Sequence, residues 1–283
     1  MRFATFEAAG RQSYGTVAGE HVRAASDKLL SRYPDLRSVI AADALPELAD
    51  DNSGELLGVA DIALLPVIPN PDKILCIGVN YRPHAEEMGR ELPQYPTVFT
   101  RFSSSLVGHG ASLVKPRASE RYDFEGELAV IIGRPARHVS REDALDHVAG
   151  YSCFMDGSVR DWQGHTSQFT PGKNFEQSGA LGPWLVARDQ VADIGSVALT
   201  TKVSGEIMQR GRIDELLFDI PAIIEYCSTF CELRPGDVIA TGTPGGVGAA
   251  RNPPLWLNAG DVVSVDLGEI GRLENRVIAE SGE

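Results

Sequence analysis

The segment 122–133 constrains the fold more than any other part of the chain. Within it, Leu128 to Ile132 form an uninterrupted apolar run, which predicts a buried strand. Asp123, Glu125 and Glu127 precede this run at a spacing of two, so in an extended chain their side chains point the same way, about 7 Å apart. Carboxylates held away from water at that range repel one another unless a cation lies between them. The pattern therefore indicates either a divalent-metal site or the solvent-exposed face of an edge strand.

The charge and hydropathy of the chain exclude several classes of function. The formal net charge of the 283 residues is −13 and no basic patch is visible, which argues against nucleic acid or anionic lipid as a partner. No apolar run reaches the roughly 18 residues of a membrane span, and the first residues lack the pattern of a signal peptide. The four cysteines form no CxxC pair, which favours free thiols in a reducing compartment. We therefore expect a cytoplasmic protein with no nucleic-acid or membrane partner.

The N-terminal part of the sequence predicts a small separate domain. Short strand-like segments separated by glycines occur at 2–6, 13–17 and 20–24. Residues 41–49 resemble a helix that Pro46 interrupts. Three prolines between positions 66 and 71 restrict their own backbone and that of the preceding residues, which predicts a stiff linker. We expect a small N-terminal domain over residues 1–70 and a main domain over residues 71–283.

The main domain is predicted to be α+β with a β-rich core. A single clear amphipathic helix is predicted over 219–231, and a shorter one over 140–150. A long polar loop, 157–179, contains three aromatic residues and is therefore interpreted as functional. Strands outnumber helices and do not alternate with them, which favours α+β over a doubly wound sheet. The predicted strands beyond the opening segment are 73–79, 97–102, 151–155, 238–240, 261–267 and 272–278.

Other polar residues could complete a site around the glutamates. Asp156 ends the strand predicted after Glu127, and three carboxylates with further positions open to water or substrate describe a Mg²⁺ or Mn²⁺ site. His84 and Glu87 are three residues apart, so on a helix the carboxylate would orient the imidazole as a general base. The glycine-rich segment 241–248 lacks the lysine of a phosphate-binding loop, which predicts a tight turn that brings backbone close to the site.

Several motifs follow one another between about residue 71 and residue 248. They are Asn80-Tyr with His84-Ala-Glu-Glu87, Tyr122-Asp-Phe-Glu-Gly-Glu127, Asp156 with Arg160-Asp-Trp-Gln163, Gly172-Lys-Asn-Phe175, Gly205-Glu206 with Gln209, and Thr241-Gly-Thr-Pro-Gly-Gly-Val-Gly248. Each motif is weak alone, but together and in this order they resemble the fumarylacetoacetate hydrolase superfamily, and in particular its acylpyruvate hydrolase-like members.

The resemblance implies a mixed β-roll or sandwich catalytic domain, a homodimer, and a bound Mg²⁺ or Mn²⁺, with Ca²⁺ as a further option. By this resemblance, Glu125, Glu127 and Asp156 correspond to metal ligands. The catalytic residues that it implies are His84, Glu87 and Lys173. The substrate-binding residues that it implies are Tyr81, Arg160, Gln163, Gln209 and Thr243.

Family substrates are small 2-oxo acids, so the resemblance implies a metal-dependent hydrolase that cleaves a C–C bond in a 2,4-dioxo acid. The substrate would be an acylpyruvate, fumarylpyruvate or a diketo-deoxy sugar acid. The cation would stabilise the pyruvate enolate that forms, while His84 and Glu87 activate water. The same enolate would also serve an oxaloacetate-type decarboxylase, a keto–enol isomerase or a hydratase. A non-catalytic member that binds a metabolite is the alternative from another class, and the presence of both His84 and Glu87 favours the enzyme.

Overall fold

The computed structural model describes residues 1–281, and its first 70 residues contain a small meander of strands followed by three short helices. The predicted helix over 41–49 is wrong, because α2 ends at Ala41 and α3 begins at Leu45. Pro46 lies in the first turn of α3, where a missing N–H costs no helical hydrogen bond. The elements are β1 (Arg2–Ala8), β2 (Arg11–Ala18), β3 (His21–Ala24), α1 (Asp27–Arg32), α2 (Leu36–Ala41), α3 (Leu45–Asp50), β4 (Leu56–Gly58) and β5 (Ala63–Leu64).

The middle of the chain contributes the strands that hold the site. All of the strands predicted here form; Ile74–Gly78, Gly126–Ile132 and Val148–Met155 are buried inside a sheet, whereas Thr97–Thr100 lies at the edge of that sheet and is only partly buried. They are joined by short helices, two of which lie inside the loop predicted over 157–179. The elements are β6 (Ile74–Gly78), α4 (Arg82–Glu87), β7 (Thr97–Thr100), β8 (Leu106–Val107), β9 (Leu113–Lys115), β10 (Tyr122–Asp123), β11 (Gly126–Ile132), β12 (Val148–Met155), β13 (Ser158–Val159), α5 (Arg160–Gln163), α6 (Thr170–Lys173) and β14 (Gly179–Ala187).

The last part of the chain supplies most of a second sheet and the longest helix. The predicted amphipathic helix is confirmed as α7, which Asp219 caps by accepting from the backbone N–H of Ala222. The strands predicted at 261–267 and 272–278 are confirmed as β18 and β19, which pair antiparallel. The elements are β15 (Ala198–Val203), β16 (Glu206–Arg212), α7 (Ile220–Phe230), β17 (Val238–Ala240), β18 (Val262–Asp266) and β19 (Arg272–Ala279).

Two sheets face each other around the largest hydrophobic core. The first has twelve strands, ordered β4-β3-β2-β1-β14-β12-β11-β17-β6-β7, with β5 and β8 attached to β1 and β14. The second is ordered β16-β15-β18-β19-β9. Leu128 and Val130 from the first sheet share a buried cluster with Val263 and Val265 from the second. The fold is therefore β-rich and sandwich-like, as predicted.

The first sheet continues across residue 70, where a domain boundary was predicted. Strand β1 pairs with β14, with Arg2 opposite Val186 and Phe3 opposite Leu185. Phe3 is buried in the same core cluster as Leu181 and Leu185. The two parts therefore share both a hydrogen-bond ladder and a core, while their division into domains stays a prediction.

The helix predicted over 140–150 is wrong. At its start, Ser140 Oγ donates to Asp143 Oδ2 at 2.7 Å. The chain then makes only a single 3₁₀ turn, Ala144–His147, because β12 already begins at Val148. Residues from Val148 onward pair with β11 and β14 in the first sheet instead of continuing a helix.

None of the helices in the described part of the chain is long and apolar enough to cross a membrane.

Candidate active site

Antiparallel pairing of β11 and β12 brings three carboxylates together. Gly126 lies opposite Met155, so the residue before β11 and the residue after β12 meet at the same end of the sheet. The backbone N–H of Asp156 donates to the carbonyl of Glu125 at 2.8 Å. Each of Glu125, Glu127 and Asp156 offers one oxygen within 4.8 Å of the others, and all three side chains are buried. The predicted set of ligands is thus one cluster, and the solvent-face alternative is wrong.

Two basic side chains compensate part of this negative charge. Lys173 Nζ lies 2.5 Å from Glu125 Oε2 and 2.7 Å from Asp156 Oδ2. Arg160 Nη2 lies 2.7 Å from Glu125 Oε1. Burial alone would raise the pKa of Glu125, but Arg160 and Lys173 outweigh burial and hold that pKa well below its usual range. Glu125 is therefore ionised and available as a ligand.

Glu127 is the carboxylate of the cluster that forms no ion pair with a basic side chain in the described part of the chain. Among residues 1–281 its hydrogen-bond partner is the backbone N–H of Gly242, which donates to Oε2 at 2.8 Å. Burial and the neighbouring carboxylates of Asp156 and Glu125 raise the pKa of Glu127 well above its usual range. A divalent cation would remove this conflict, and a donor set of three carboxylates suits Mg²⁺, Mn²⁺ or Ca²⁺. The residues present therefore fit such an ion.

Arg101 was not predicted as a site residue, and it binds Asp156 through the carboxylate oxygen that Lys173 does not contact. It follows β7, is 3% exposed, and its Nη1 donates to Asp156 Oδ1 at 2.5 Å and to the Gly157 carbonyl at 2.9 Å. Its Nη2 donates to Ser178 Oγ at 2.9 Å. This contact leaves Asp156 Oδ2 turned toward Lys173 and the other carboxylates. An arginine within the strand predicted over 97–102 was the available signal.

Asp123 is not among the metal ligands that the resemblance implied, and in the structure it binds other groups. Its Oδ1 accepts from the backbone N–H of Gly248 at 2.8 Å, and Oδ2 accepts from the N–H of Ala249 at 3.0 Å. Arg160 Nε also donates to Oδ2, at 2.7 Å. Asp123 therefore anchors both the glycine-rich turn and the arginine that reaches Glu125.

The glycine-rich turn 241–248 surrounds the site with backbone donors. Besides its contacts with Asp123 and Glu127, it donates the N–H of Gly246 to Glu87 Oε2 at 2.7 Å. Thr243 Oγ1 donates to the carbonyl of Gly126 at 2.9 Å, at the start of β11. The prediction that this turn brings backbone and Thr243 to the site is confirmed.

His84 and Glu87 form a pair on α4, as the spacing predicted. His84 Nδ1 lies 2.9 Å from Glu87 Oε1, so the carboxylate fixes the orientation of the ring. His84 is 7% exposed and lines the pocket that contains the carboxylates. Pairing through Nδ1 leaves Nε2 as the nitrogen that can exchange a proton inside this pocket.

The segment before α4 is held in an unusual conformation. Val79 lines the pocket with φ 57°, a left-handed conformation that β-branched residues rarely adopt. The Asn80 side chain then donates to the carbonyls of Phe218 and Thr241, at 2.9 and 2.8 Å. These contacts tie the start of α4 to the turn that holds Glu87.

The pocket encloses about 40 Å³ in this structure. The pocket is also lined by Phe99, Phe169, Met88 and Arg90. Of these, only Phe169 belongs to the loop 157–179 that was predicted to be functional. The predicted site residues in its wall are His84, Glu125, Glu127, Arg160, Gln163, Lys173 and Thr243.

Two predicted substrate-binding residues lie outside the pocket wall. Gln209 is 1% exposed, and its amide bridges Thr243 Oγ1 and the Gly126 N–H, at 2.8 and 3.0 Å. The Tyr81 ring is 1% exposed and packs beside Gly211. Both residues therefore support the site from behind in this structure, because their polar groups face the protein interior.

A carboxylate cluster that suits a divalent cation, facing a histidine–glutamate pair in a β-sandwich, defines an enzyme with a metal-binding site. The family model of the fumarylacetoacetate (FAA) hydrolase C-terminal domain matches residues 73–278, and the chain belongs to this family. Among relatives, the chain is 40% identical to the oxaloacetate tautomerase fahd2 of Xenopus laevis over 81% of its own length and 72% of that protein. It is also 40% identical to the oxaloacetate tautomerase YisK of Bacillus subtilis, over 81% of this chain and 77% of the other.

Solved structures of the family share the whole fold. The fumarylacetoacetate hydrolase from Exiguobacterium antarcticum superposes with a TM-score of 0.87 at 34% identity, over 99% of this chain and 100% of the other. The maleylpyruvate hydrolase from Sphingobium sp. SYK-6, in complex with manganese(II) and pyruvate, superposes with a TM-score of 0.77 at 27% identity, over the same shares of the two chains.

Proposed function

We propose that this chain is a divalent-metal-dependent tautomerase that interconverts the enol and keto forms of a 2-oxo acid of the oxaloacetate class. The observation that carries the proposal is the pair His84–Glu87, which faces the carboxylate cluster across one small pocket. A proton-transfer group opposite a site that can stabilise an enolate is what keto–enol exchange requires. The names of the two tautomerases that are 40% identical to this chain support the same reaction.

Glu125, Glu127 and Asp156 would hold the cation, with Mg²⁺ or Mn²⁺ as the proposed ion. When bound, it would polarise the 2-oxo group and stabilise negative charge that develops on the carbonyl oxygen. The manganese complex of the maleylpyruvate hydrolase, a protein of the same fold, supports this assignment.

The remaining charged side chains would orient the substrate. Arg160 and Gln163 line the pocket beside Glu125, where a guanidinium and an amide can bind the substrate carboxylate. Burial would lower the pKa of Lys173, but Asp156 and Glu125 outweigh burial and raise it. Lys173 therefore stays protonated and offers a fixed positive charge beside the substrate oxygens.

His84 would move the proton. In ketonisation the enol O–H bond at the C2 oxygen breaks, a C–H bond forms at C3, and no electrons are gained or lost. His84 Nε2 accepts the proton released from the C2 oxygen and donates it to C3, and in the reverse direction it returns the proton from C3 to the C2 oxygen. Glu87 stabilises the charged imidazolium through Nδ1, and the N–H of Gly246 keeps Glu87 in place.

A C–C hydrolase of a 2,4-dioxo acid is the second candidate, because the same histidine–glutamate pair could activate a water molecule for attack on the distal carbonyl. The maleylpyruvate hydrolase with the same fold supports this alternative. The two candidates differ in their product, since hydrolysis releases pyruvate and tautomerisation releases nothing. Decarboxylation of oxaloacetate would release carbon dioxide and is distinguished in the same assay.

The test is the loss of the ultraviolet absorbance of enol-oxaloacetate, above the uncatalysed rate, with and without Mg²⁺ or Mn²⁺. We expect rapid ketonisation that a chelator abolishes and added metal restores. His84→Gln should lower kcat by about 100-fold or more, which is the contribution typical of acid–base catalysis. The exposed His21→Gln is the matched control and should keep full activity. Full activity of His84→Gln, or pyruvate release from acylpyruvates without ketonisation of oxaloacetate, would contradict the proposal.

A further inference from the structure

One arginine in the pocket wall has no role in the carboxylate cluster. Arg90 follows α4 and lines the same pocket as His84. Arg160 and Lys173, the other basic residues of the wall apart from the histidine, each pair with Glu125. Within residues 1–281, Arg90 forms no ion pair with a carboxylate. Its positive charge is therefore free to meet a ligand.

The Arg90 guanidinium is nevertheless held in place. Its Cζ lies 5.6 Å from the centroid of the Phe169 ring, within the range of a cation–π contact. The backbone N–H of Arg90 donates to the carbonyl of Ala85 at 2.9 Å, which attaches this residue to the end of α4. The guanidinium is thus oriented at the pocket although the residue is exposed.

Aromatic rings connect Arg90 to the base of the pocket. Phe169 packs edge-on against Phe99, with ring centroids 5.6 Å apart. Lys173 Nζ lies 5.1 Å from the Phe99 centroid and also contacts Glu125 and Asp156. The rings of Phe99 and Phe169 therefore separate two cations, Lys173 at the inner end of the pocket and Arg90 at its outer end. The inner cation is compensated by carboxylates of the protein, whereas the outer one is not.

We infer that Arg90 binds the distal carboxylate of the substrate and makes the enzyme selective for 2-oxo dicarboxylic acids. The inference rests on the proposed function, in which the carboxylate and 2-oxo group bind at the inner end. The substrate's other end then points outward along Phe99 and Phe169. A guanidinium binds a carboxylate through two parallel hydrogen bonds, whereas an uncharged tail leaves the arginine without a charged partner.

Steady-state kinetics with oxaloacetate and its 4-methyl ester test this role, because the two compounds differ only in the distal group, which is a charged carboxylate in one and an uncharged methyl ester in the other. Arg90→Gln should raise KM for oxaloacetate by about 10- to 100-fold, the effect of losing a hydrogen-bonded charge pair, and should leave kcat within a few-fold. KM for the methyl ester should change less than about 2-fold, because that substrate makes no charged contact with Arg90. Arg90→Lys should give an intermediate KM for oxaloacetate, since lysine keeps the positive charge but cannot form the two parallel hydrogen bonds of a guanidinium.

Arg82→Gln is the matched control, because Arg82 is an exposed arginine of α4 that does not line the pocket, and it should behave as the wild type. Equal changes in KM for both compounds, or no change for either, would overturn the role of Arg90. If the wild type ketonises neither compound, the proposed function itself fails. If the wild type turns over oxaloacetate and Arg90→Gln has the same KM values as the wild type, only the role of Arg90 in selectivity is refuted.

Discussion

At the scale of single residues, the site is a balance of buried charges. Four carboxylates lie in it with almost no exposure, and they face the buried Arg101 and Lys173 and the largely buried side chain of Arg160. Burying ionised groups costs several kcal/mol each unless they are paired and hydrogen-bonded. Glu125, Asp156 and Asp123 are paired with a base, and Glu127 is not. The unpaired carboxylate is the strongest structural sign of a bound cation.

Arg101 should control how tightly that cation binds, because it fixes the orientation of Asp156. Arg101→Lys keeps the charge but cannot reach Asp156, Gly157 and Ser178 together. We expect the dissociation constant for Mn²⁺, measured by titration calorimetry, to rise about 10- to 100-fold, as is typical when the partner of a metal ligand is lost. The exposed Arg134→Lys is the control and should bind as the wild type. An unchanged Mn²⁺ affinity in Arg101→Lys would show that Asp156 does not need this contact.

At the scale of elements, one turn organises the site from its backbone. The turn 241–248 donates N–H groups to Glu127, Glu87 and Asp123, so it positions both the carboxylates and the proton-transfer pair. Such close approach requires glycine. Gly246 has a φ of +105°, and a Cβ added at this position would lie only 2.2 Å from the carbonyl oxygen of Met208.

Gly246→Ala should therefore damage activity more than a glycine substitution elsewhere. The new Cβ would push the turn away from Met208 and move the N–H that holds Glu87, so we expect kcat/KM to fall at least about 10-fold. Gly260→Ala is the matched control, since Gly260 has a similar φ of +101° but open space around its Cβ position. Both variants should lose about 1–3 kcal/mol of unfolding free energy through backbone strain. Equal losses of activity in the two would contradict the role of the turn.

At the scale of the whole molecule, the first 70 residues form part of the same sheet and core as the site. Phe3 is 1% exposed and packs with Leu181 and Leu185 of β14. Strand β14 in turn pairs with β12, which ends next to Asp156. The N-terminal strands therefore support the sheet that carries the site, and we expect the whole chain to unfold together.

Phe3→Ala tests this coupling, because all three tryptophans lie beyond residue 70 and report only on the larger part of the chain. We expect the urea midpoint measured by tryptophan fluorescence to fall, by an amount equivalent to about 3–5 kcal/mol, as for other buried phenylalanines. Phe102→Ala, at an exposed phenylalanine, should cost less than about 1 kcal/mol. An unchanged tryptophan transition in Phe3→Ala would show that the two parts unfold independently.

Local patterns in the sequence determined most of the strands, the helix α7, and the candidates for the carboxylate cluster and the His84–Glu87 pair. These features depend on apolar periodicity and short spacings, which neighbouring residues set by themselves. The same patterns were insufficient over 140–150, where residues from Val148 onward pair with neighbouring strands of the first sheet.

Tertiary structure alone decided which remote side chains complete the site. Arg101 lies 55 residues from Asp156, and Asp123 meets a turn 125 residues away, so no local spacing could reveal either contact. The pairing of β1 with β14 likewise depends on which sheet edge remains free after folding. The physical reason is that buried charges and the edges of sheets pair with the groups that the packed structure places beside them. The separation of two residues in the sequence does not determine which groups those are.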